Sequence, residues 1–97
     1  MTALLHSVAT VSLDAASQAS VRVVVSGEAS SGGWTRVRLV RRAGAPADGM
    51  IHLDFVGEAP TGVVIQALQP ASAALVVARK GRGVVVRART NEMRARF

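Results

Sequence analysis

The clearest pattern in the chain is an alternation of apolar and polar residues between Met50 and Leu68. The alternation pauses at residues 58–62, which are typical of a turn, and then resumes. Side chains that alternate in this way indicate half-buried antiparallel strands. The segment therefore predicts a β-hairpin with its apolar face at the centre of the core. That face consists of Ile51, Leu53, Phe55, Val63 and Ile65.

The same alternation predicts further strands on both sides of the hairpin. They cover residues 8–13, 20–26, 34–42, 73–78, 84–89 and 93–97. The segments between them are a loose start at residues 1–7, a turn at 14–19, a Gly-rich loop at 30–33, a connection from Ala43 to Gly49 and turns at 69–72, 79–83 and 90–92. No long helical pattern separates the strands, which makes βαβ units an unsuitable interpretation.

Seven or eight short strands with turns between them are typical of a β-sandwich or a small barrel. Of these two, we predict an all-β, antiparallel, immunoglobulin-like β-sandwich. A length of 97 residues corresponds to one domain, spanning 1–97. Val is the commonest large residue, and its stiff, branched side chain favours strands.

Composition narrows the possible chemistry. The chain has no Cys, which excludes disulfides, thiolate nucleophiles and Cys-based metal sites. No run of eighteen apolar residues occurs, so no membrane span is expected, and the first residues lack the pattern of a signal peptide. No cofactor motif is present, and we expect neither a cofactor nor a metal.

The charge of the chain is compatible with an anionic partner but has a second explanation. The chain has 12 basic and 6 acidic residues, a net charge of +6. Eleven of the basic residues are Arg, and Lys80 is the only Lys. Arg suits polyanions because its planar fork of donors matches phosphate and sulfate groups. A genome of high GC content would produce the same excess of Arg over Lys, so the two explanations remain open.

One candidate binding surface is centred on Trp34. In an extended strand, Arg36 and Arg38 lie on the same face as Trp34, together with Arg42. An aromatic ring flanked by arginines can stack on a sugar or a base while the arginines bind phosphate or sulfate. The alternative is that Trp34 packs at the rim of the core, because Trp is usually largely buried.

A second candidate surface is a basic turn and a stripe of arginines. The turn contains Arg79, Lys80 and Arg82, and the stripe contains Arg87, Arg89, Arg94 and Arg96 on the outward faces of the last two strands. A basic turn can bind an anion, but it can also protect an edge strand from pairing with another chain. The last strand, Glu92–Phe97, is itself an edge through which two copies can pair.

His52 and Asp54 are two residues apart and are predicted to point outward from the same strand. Such a pair can orient an imidazole for general-base catalysis or contribute to a metal site. A metal needs three or four ligands, and the other His, His6, lies near the start of the chain. We therefore predict a solvated polar face with a weak cross-strand ion pair, and no enzymatic activity.

Several short motifs resemble a group of small, uncharacterised bacterial proteins. The motifs, in order, are Gly32-Gly33-Trp34-Thr35, Pro46-Ala47-Asp48-Gly49-Met50, Leu53-Asp54-Phe55-Val56, Pro60-Thr61-Gly62, Gln66-Ala67-Leu68-Gln69-Pro70 and Val86-Arg87-Ala88-Arg89-Thr90-Asn91. Arg36-Val37 stands where the group is expected to have Asn-Pro. The resemblance implies an all-β fold and export to the periplasm or beyond, and it identifies no site residues.

The sequence as a whole favours a non-enzymatic cell-envelope module that binds a protein or an anionic polymer through its basic surface. A net charge of +6 also permits sequence-independent binding of nucleic acid, which we keep as the alternative. Against it, RNA-binding strands usually interleave aromatic with basic residues, and no aromatic residue interrupts the arginine stripe.

Overall fold

The computed structural model describes residues 1–44 and 46–97 and contains eight β-strands in that part of the chain. They are β1 (Thr2–Leu4), β2 (Ser7–Ala15), β3 (Ser20–Ala29), β4 (Thr35–Arg41), β5 (Met50–Glu58), β6 (Gln69–Ala78), β7 (Gly83–Arg87) and β8 (Glu92–Arg96). The predicted connection from Ala43 to Gly49 includes Ala45, which lies outside the described residues. The all-β fold class is confirmed.

The strands form two sheets. One is antiparallel, in the order β2-β3-β6, and the other is built around β5. Along one edge, β5 pairs with β4. Its other edge is shared, because β7 pairs with residues 50–54 in parallel and β1 pairs with residues 56–58 in the antiparallel direction. β8 then pairs with β7. Both edges of β5 are therefore occupied by neighbouring strands.

The core lies between the two sheets. Its fully buried side chains alternate along the strands, as the pleat of a strand requires, and come from both sheets. They include Val23 and Val25 of β3, Leu53 and Phe55 of β5, and Val84 and Val86 of β7. Two sheets that share one core are compatible with the predicted β-sandwich. The immunoglobulin-like topology is not confirmed, since β5 and β7 run parallel whereas the sheets of that fold are antiparallel.

The predicted hairpin is wrong in its second half. β5 forms as predicted, but residues 59–68 form no strand, although all of them are described. Val63 is 104% exposed and Ile65 is 74% exposed, so neither belongs to the core. A strand at residues 63–68 would need a free edge of β5, and β1, β4 and β7 already occupy both edges.

Other element boundaries also differ from the prediction. The start predicted to be loose contains β1, which adds to the edge of β5. The turn predicted at residues 69–72 belongs to β6, which pairs with β3 from Gln69 onward. Trp34 lies just before β4 rather than within it. The Gly-rich segment at residues 30–33 lies outside the strands, as predicted.

The side chain of Asn91 joins the two sheets at the start of β2. Its Nδ2 donates a hydrogen bond to the Val8 carbonyl oxygen, and its Oδ1 accepts one from the Val8 backbone N–H, both at 2.8 Å. The register of β2 against β3 shifts between Val8 and Thr10, which indicates a bulge. Gly27 is opposite, and a Cβ there would overlap the carbonyl oxygen of Ser7. Asn91 therefore supplies the bonds that a neighbouring strand would otherwise give to Val8.

We predict that Asn91→Ala lowers the free energy of unfolding by about 1–3 kcal/mol, because it leaves the N–H and C=O of the buried Val8 without partners. Chemical denaturation monitored by circular dichroism measures the effect. Gln69→Ala is the control, since it also removes an amide but from an exposed side chain, and we expect a change within about 0.5 kcal/mol. Equal stability of the Asn91 variant and the native protein would show that the bonds to Val8 contribute little.

Candidate functional site

Trp34 is half-buried and packs against the core. Its ring covers Gly57 of β5, where an added Cβ would lie 3.2 Å from the ring carbon Cε3. The indole Nε1 is buried and has no hydrogen-bond partner in the described part of the chain. These contacts favour the alternative in which Trp34 packs at the rim of the core, where it also lines a pocket of about 270 Å³ with Gly32 and Gly33.

Arg36 and Arg38, predicted to act with Trp34, have different environments. Arg36 is exposed and has a φ of 50°. It lies where the register of β4 against β5 shifts, so it belongs to a bulge. Arg38 donates hydrogen bonds from Nη1 to the Arg36 carbonyl oxygen at 2.9 Å and to Oε2 of Glu58 at 3.2 Å. The charge of Arg38 is therefore compensated within the protein.

Glu58 is the acidic partner at this end of the molecule. The pKa of its carboxyl is lowered, chiefly because the Thr2 hydroxyl donates a hydrogen bond to Oε2 at 2.6 Å, with a further contribution from Arg38. The amino terminus of Met1 lies 3.6 Å from the other carboxylate oxygen. Glu58 thus connects β1, β4 and β5.

Asp54 binds two arginines on the outer face of the β5 sheet. Its Oδ1 accepts hydrogen bonds at 3.1 Å from Nε of Arg42 and from Nε of Arg87, and its Oδ2 accepts one at 3.0 Å from Nη2 of Arg87. The parallel register places Arg87 directly beside Asp54. Arg87 was predicted as part of a free basic stripe. It is instead paired with a carboxylate, and this pair is the cross-strand ion pair expected of Asp54.

His52 is buried, with 8% of its surface exposed, which contradicts the predicted solvated face. Its Nε2 lies 3.0 Å from both carboxylate oxygens of Asp48. Its Nδ1 is buried and lacks a partner among the described residues. The backbone N–H of Met50 and the His52 ring, in that order, lower the pKa of Asp48. With Nε2 bonded and Nδ1 buried, neither nitrogen of His52 is open to a substrate.

The physical reason for this burial is the number of strands around β5. His52 shares its face with Asp54 and Val56 of β5 and, through the parallel register, with Val85 of β7, which is fully buried. The arginines that bind Asp54 extend over this face, and long arginine stems cover apolar surface well. An alternation pattern shows which residues share a face, but it does not show whether other side chains cover that face.

Four arginines line two adjoining pockets at the opposite end of the molecule from Trp34, and Lys80 lies in the same turn as two of them. We call this group the basic end: Arg79, Lys80, Arg82, Arg94 and Arg96. The pairing of Gly83 with Arg96 and of Val85 with Arg94 places both β8 arginines beside the turn that precedes β7. Arg82, Arg94 and Arg96 line a pocket of about 180 Å³ together with Asp48 and Met50.

A neighbouring pocket of about 320 Å³ extends the basic end. Arg79, Arg96 and Phe97 line it, with residues from the end of β2 and the start of β3. The turn that carries the cations is closely packed: Gly81 has a φ of 79°, and a Cβ there would overlap the Gly49 carbonyl oxygen. The same oxygen accepts a hydrogen bond from the Arg82 N–H at 2.7 Å. These contacts hold the basic end in one shape.

The structure therefore divides the predicted site residues into separate groups. Trp34 lies beside Gly57, near the end of β5, whereas the basic end lies beside Met50, at its start. At roughly 3.3 Å per residue these positions are more than 20 Å apart. Arg89 follows β7 and donates its N–H to the Leu5 carbonyl oxygen, outside both pockets of the basic end.

The contact of Asp48 with His52 and the ion pair of Arg42 with Asp54 were not predicted from the sequence. Asp48 was placed in a connecting turn, and its position four residues before His52 was the available signal. Arg42 was placed on the Trp34 face, but its partner Asp54 follows from the pairing of β4 with β5. Among residues 1–44 and 46–97, no three His, Asp or Glu side chains are grouped to hold a metal ion.

Comparisons with protein-family models, with curated proteins and with solved structures found no match to this chain. In the described residues there is also no helix that is long and apolar enough to cross a membrane.

We predict that Thr2→Val raises the pKa of Glu58 toward its ordinary value of 4.5, because the variant removes the hydroxyl that contributes most to the lowered pKa. A lowered pKa in the folded state stabilises the protein above pH 4.5, and this stabilisation is lost as the pH falls through the lowered value. The variant should therefore lose less stability than the native protein on acidification.

The Glu58 pKa is measured by NMR titration of the side-chain carboxyl carbon. Thr35→Val is the matched control, since Thr35 is opposite Glu58 in the β4–β5 register but its hydroxyl is not bonded to the carboxylate. An unchanged Glu58 pKa in Thr2→Val, or an equal rise in Thr35→Val, would contradict the assignment.

Proposed function

We propose that this protein is a non-enzymatic binding module whose basic end binds an anionic polymer. The observation that supports this proposal most directly is the meeting of four arginines at two adjoining pockets, which are lined by Arg79, Arg82, Arg94 and Arg96. An anion in these pockets would contact side chains from the β6–β7 turn and from β8. Arginine side chains bind sulfate and phosphate groups through two parallel hydrogen bonds, which gives them an advantage over a single point charge.

Three of the seven arginines outside the basic end are paired with carboxylates. Arg38 pairs with Glu58, and Arg42 and Arg87 pair with Asp54. In the described part of the chain, Arg79, Lys80, Arg82 and Arg96 make no ion pair, and Arg94 makes a long one of 3.7 Å with Glu92. Two acids also line the pockets: Asp48 in the smaller one, which is hydrogen-bonded to His52 and Met50, and Asp14 in the larger one. The cations of the basic end outnumber them. The basic end therefore has positive charge available for a ligand.

The environment of His52 supports a binding role over catalysis. The imidazole was the strongest candidate for a general base, and its two nitrogens are bonded to Asp48 or buried. A general base must reach the proton that it removes. The resemblance to exported bacterial proteins adds the proposal that the anionic polymer belongs to the cell envelope, such as a phosphate-bearing or sulfated polysaccharide.

Nucleic acid is a second candidate ligand because of Phe97. This ring lines the larger pocket beside Arg79 and Arg96, so an aromatic surface and two cations occur together. Single-stranded nucleic acids bind to such combinations through base stacking and phosphate contacts. Phe97 is only half-exposed and packs against the core, which limits the surface that it offers to a base.

We expect the double variant Arg82→Glu/Arg96→Glu to bind a sulfated heparin oligosaccharide at least tenfold more weakly than the native protein. Isothermal titration calorimetry at several salt concentrations measures the affinity. The slope of log K against log salt should also become shallower, because fewer counterions are released when fewer cations contact the polymer.

The matched control is Arg22→Glu/Arg41→Glu, which makes the same change in net charge at exposed arginines outside the basic end. An equal loss of affinity in both double variants would mean that net charge alone drives binding, and it would overturn the proposed site.

Phe97→Leu separates the two candidate ligands. If a base stacks on Phe97, the variant should bind single-stranded DNA roughly 5- to 150-fold more weakly, since stacking contributes about 1–3 kcal/mol per base. Binding of the heparin oligosaccharide should stay within about twofold. Fluorescence anisotropy with labelled oligonucleotides measures the first effect. Absence of any DNA binding by the native protein at low salt would dispose of the nucleic-acid candidate.

A further inference from the structure

Most of the outer strands of the two sheets carry features that prevent pairing with another chain. β1 has three residues and is too short to offer a docking edge. β2 contains the bulge between Val8 and Thr10, and Asn91 occupies the N–H and C=O of Val8. Short strands and bulges are common ways in which proteins protect an exposed sheet edge.

The two remaining outer strands of the β5 sheet, β4 and β8, are protected by a bulge and by charge. β4 contains the bulge at Arg36 and carries the exposed Arg41. β8 alternates Glu92, Arg94 and Arg96 on its exposed side. A second copy of β8 brought alongside in antiparallel register about Arg94 would place Arg94 against Arg94, which is unfavourable, and Glu92 against Arg96 of the second copy, which is favourable. A dimer through Glu92–Phe97, which the sequence permits, would therefore bring two like charges together at its axis.

β6 lacks such protection. It pairs with β3 on one side, and no strand of the described chain is hydrogen-bonded to its other side, although β4 lies nearby. The N–H of Arg79 donates a hydrogen bond to the Ala19 carbonyl oxygen, and this bond continues the β3–β6 ladder. It shows which residues of β6 bond to β3, namely every second residue counted back from Arg79. Because antiparallel pairs alternate in direction, Ser72, Ala74 and Val76 direct their N–H and C=O groups toward the free edge.

The side chains along this edge are small, uncharged and exposed. Ser72 and Ala74 are exposed, and Val76 is 56% exposed. Pro70, near the start of the strand, is the one residue in β6 without a backbone donor, and residues 71–78 contain no Pro and no charge. A long, regular and uncharged edge of this kind is a template for strand addition.

The distribution of charge identifies the occupant as a second copy of this chain. The net charge of +6 opposes self-association through most of the surface. Residues Ala59–Ala78 contain none of the charged side chains, so two copies can approach through β6 without like charges facing each other. The other outer strands of a copy are short, bulged or charged, and β6 is therefore the strand that a copy can offer in return.

We propose that β6 pairs antiparallel with β6 of a second copy, about a two-fold axis near Ala74. The two three-stranded sheets then become one continuous sheet of six strands. A two-fold interface of this kind is self-complementary and closes, so it gives a dimer and not a fibre. The antiparallel arrangement directs the basic ends of the two copies away from each other, which leaves both free for the anionic ligand. The pairing does not depend on the proposed function.

The test compares Ala74→Lys with Ser12→Lys. The register places Ser12, Val24 and Ala74 in one row across the β2-β3-β6 sheet, so both substitutions add one exposed positive charge to the same row at opposite edges. We expect the native protein and Ser12→Lys to show twice the monomer mass of 10.1 kDa in sedimentation equilibrium. Ala74→Lys should remain monomeric at the same concentrations, because it places two lysines opposite each other at the axis.

A second variant tests the register without relying on repulsion. The chain has no Cys, so Ala74→Cys carries a single thiol at the proposed axis. Directly opposite residues in an antiparallel pair have Cα atoms about 5.5 Å apart, within the range that a disulfide spans. Mild oxidation should convert Ala74→Cys to a covalent dimer, whereas Ser12→Cys should stay largely uncrosslinked.

Circular dichroism and thermal unfolding establish that each variant is folded before its mass is interpreted. A native protein that stays monomeric up to its solubility limit would overturn the proposal. So would a dimer that persists in Ala74→Lys, or one that Ser12→Lys abolishes, because each would place the interface away from β6.

Discussion

The pairing of β5 on both of its edges is the constraint on which the rest of the structure depends. β4 runs along one edge, and β7 and β1 share the other. Both faces of β5 are also covered, one by the core and the other by side chains around Asp54 and Val85. This arrangement buries His52, pairs Arg42 and Arg87 with Asp54, and leaves residues 59–68 without an edge to join.

The arginines of the chain serve different physical purposes. Arg42 and Arg87 compensate a carboxylate in a partly buried layer, where an unpaired charge would be costly. Arg41 and Arg94 lie on outer strands, where positive charge discourages pairing with other chains. Arg79, Arg82 and Arg96 have no such partner and meet around two pockets. A net charge by itself does not distinguish these uses, and the site follows from which arginines line the two pockets and not from the absence of an acidic partner alone.

The two proposals concern different parts of the surface. Polymer binding uses the basic end, and strand pairing uses the uncharged edge of β6, whose last residue, Ala78, immediately precedes Arg79. In the antiparallel dimer the basic ends are directed apart, so one dimer can contact two polymer chains or two segments of one chain. Linked sites raise overall affinity when a single ligand can span both of them.

The sequence by itself determined the fold class, most of the strands and much of the core. The alternation of Val21, Val23 and Val25 predicted β3, and that of Ile51, Leu53 and Phe55 predicted β5, because a period of two records which side chains share a face. Only the tertiary structure decided which edges pair. Val63 and Ile65 have the same alternation as β5, but residues distant in the chain occupy the edges that they would need. For the same reason the pairing of Asp54 with Arg87, and the meeting of Arg82 with Arg96, follow from contacts between strands that no local pattern contains.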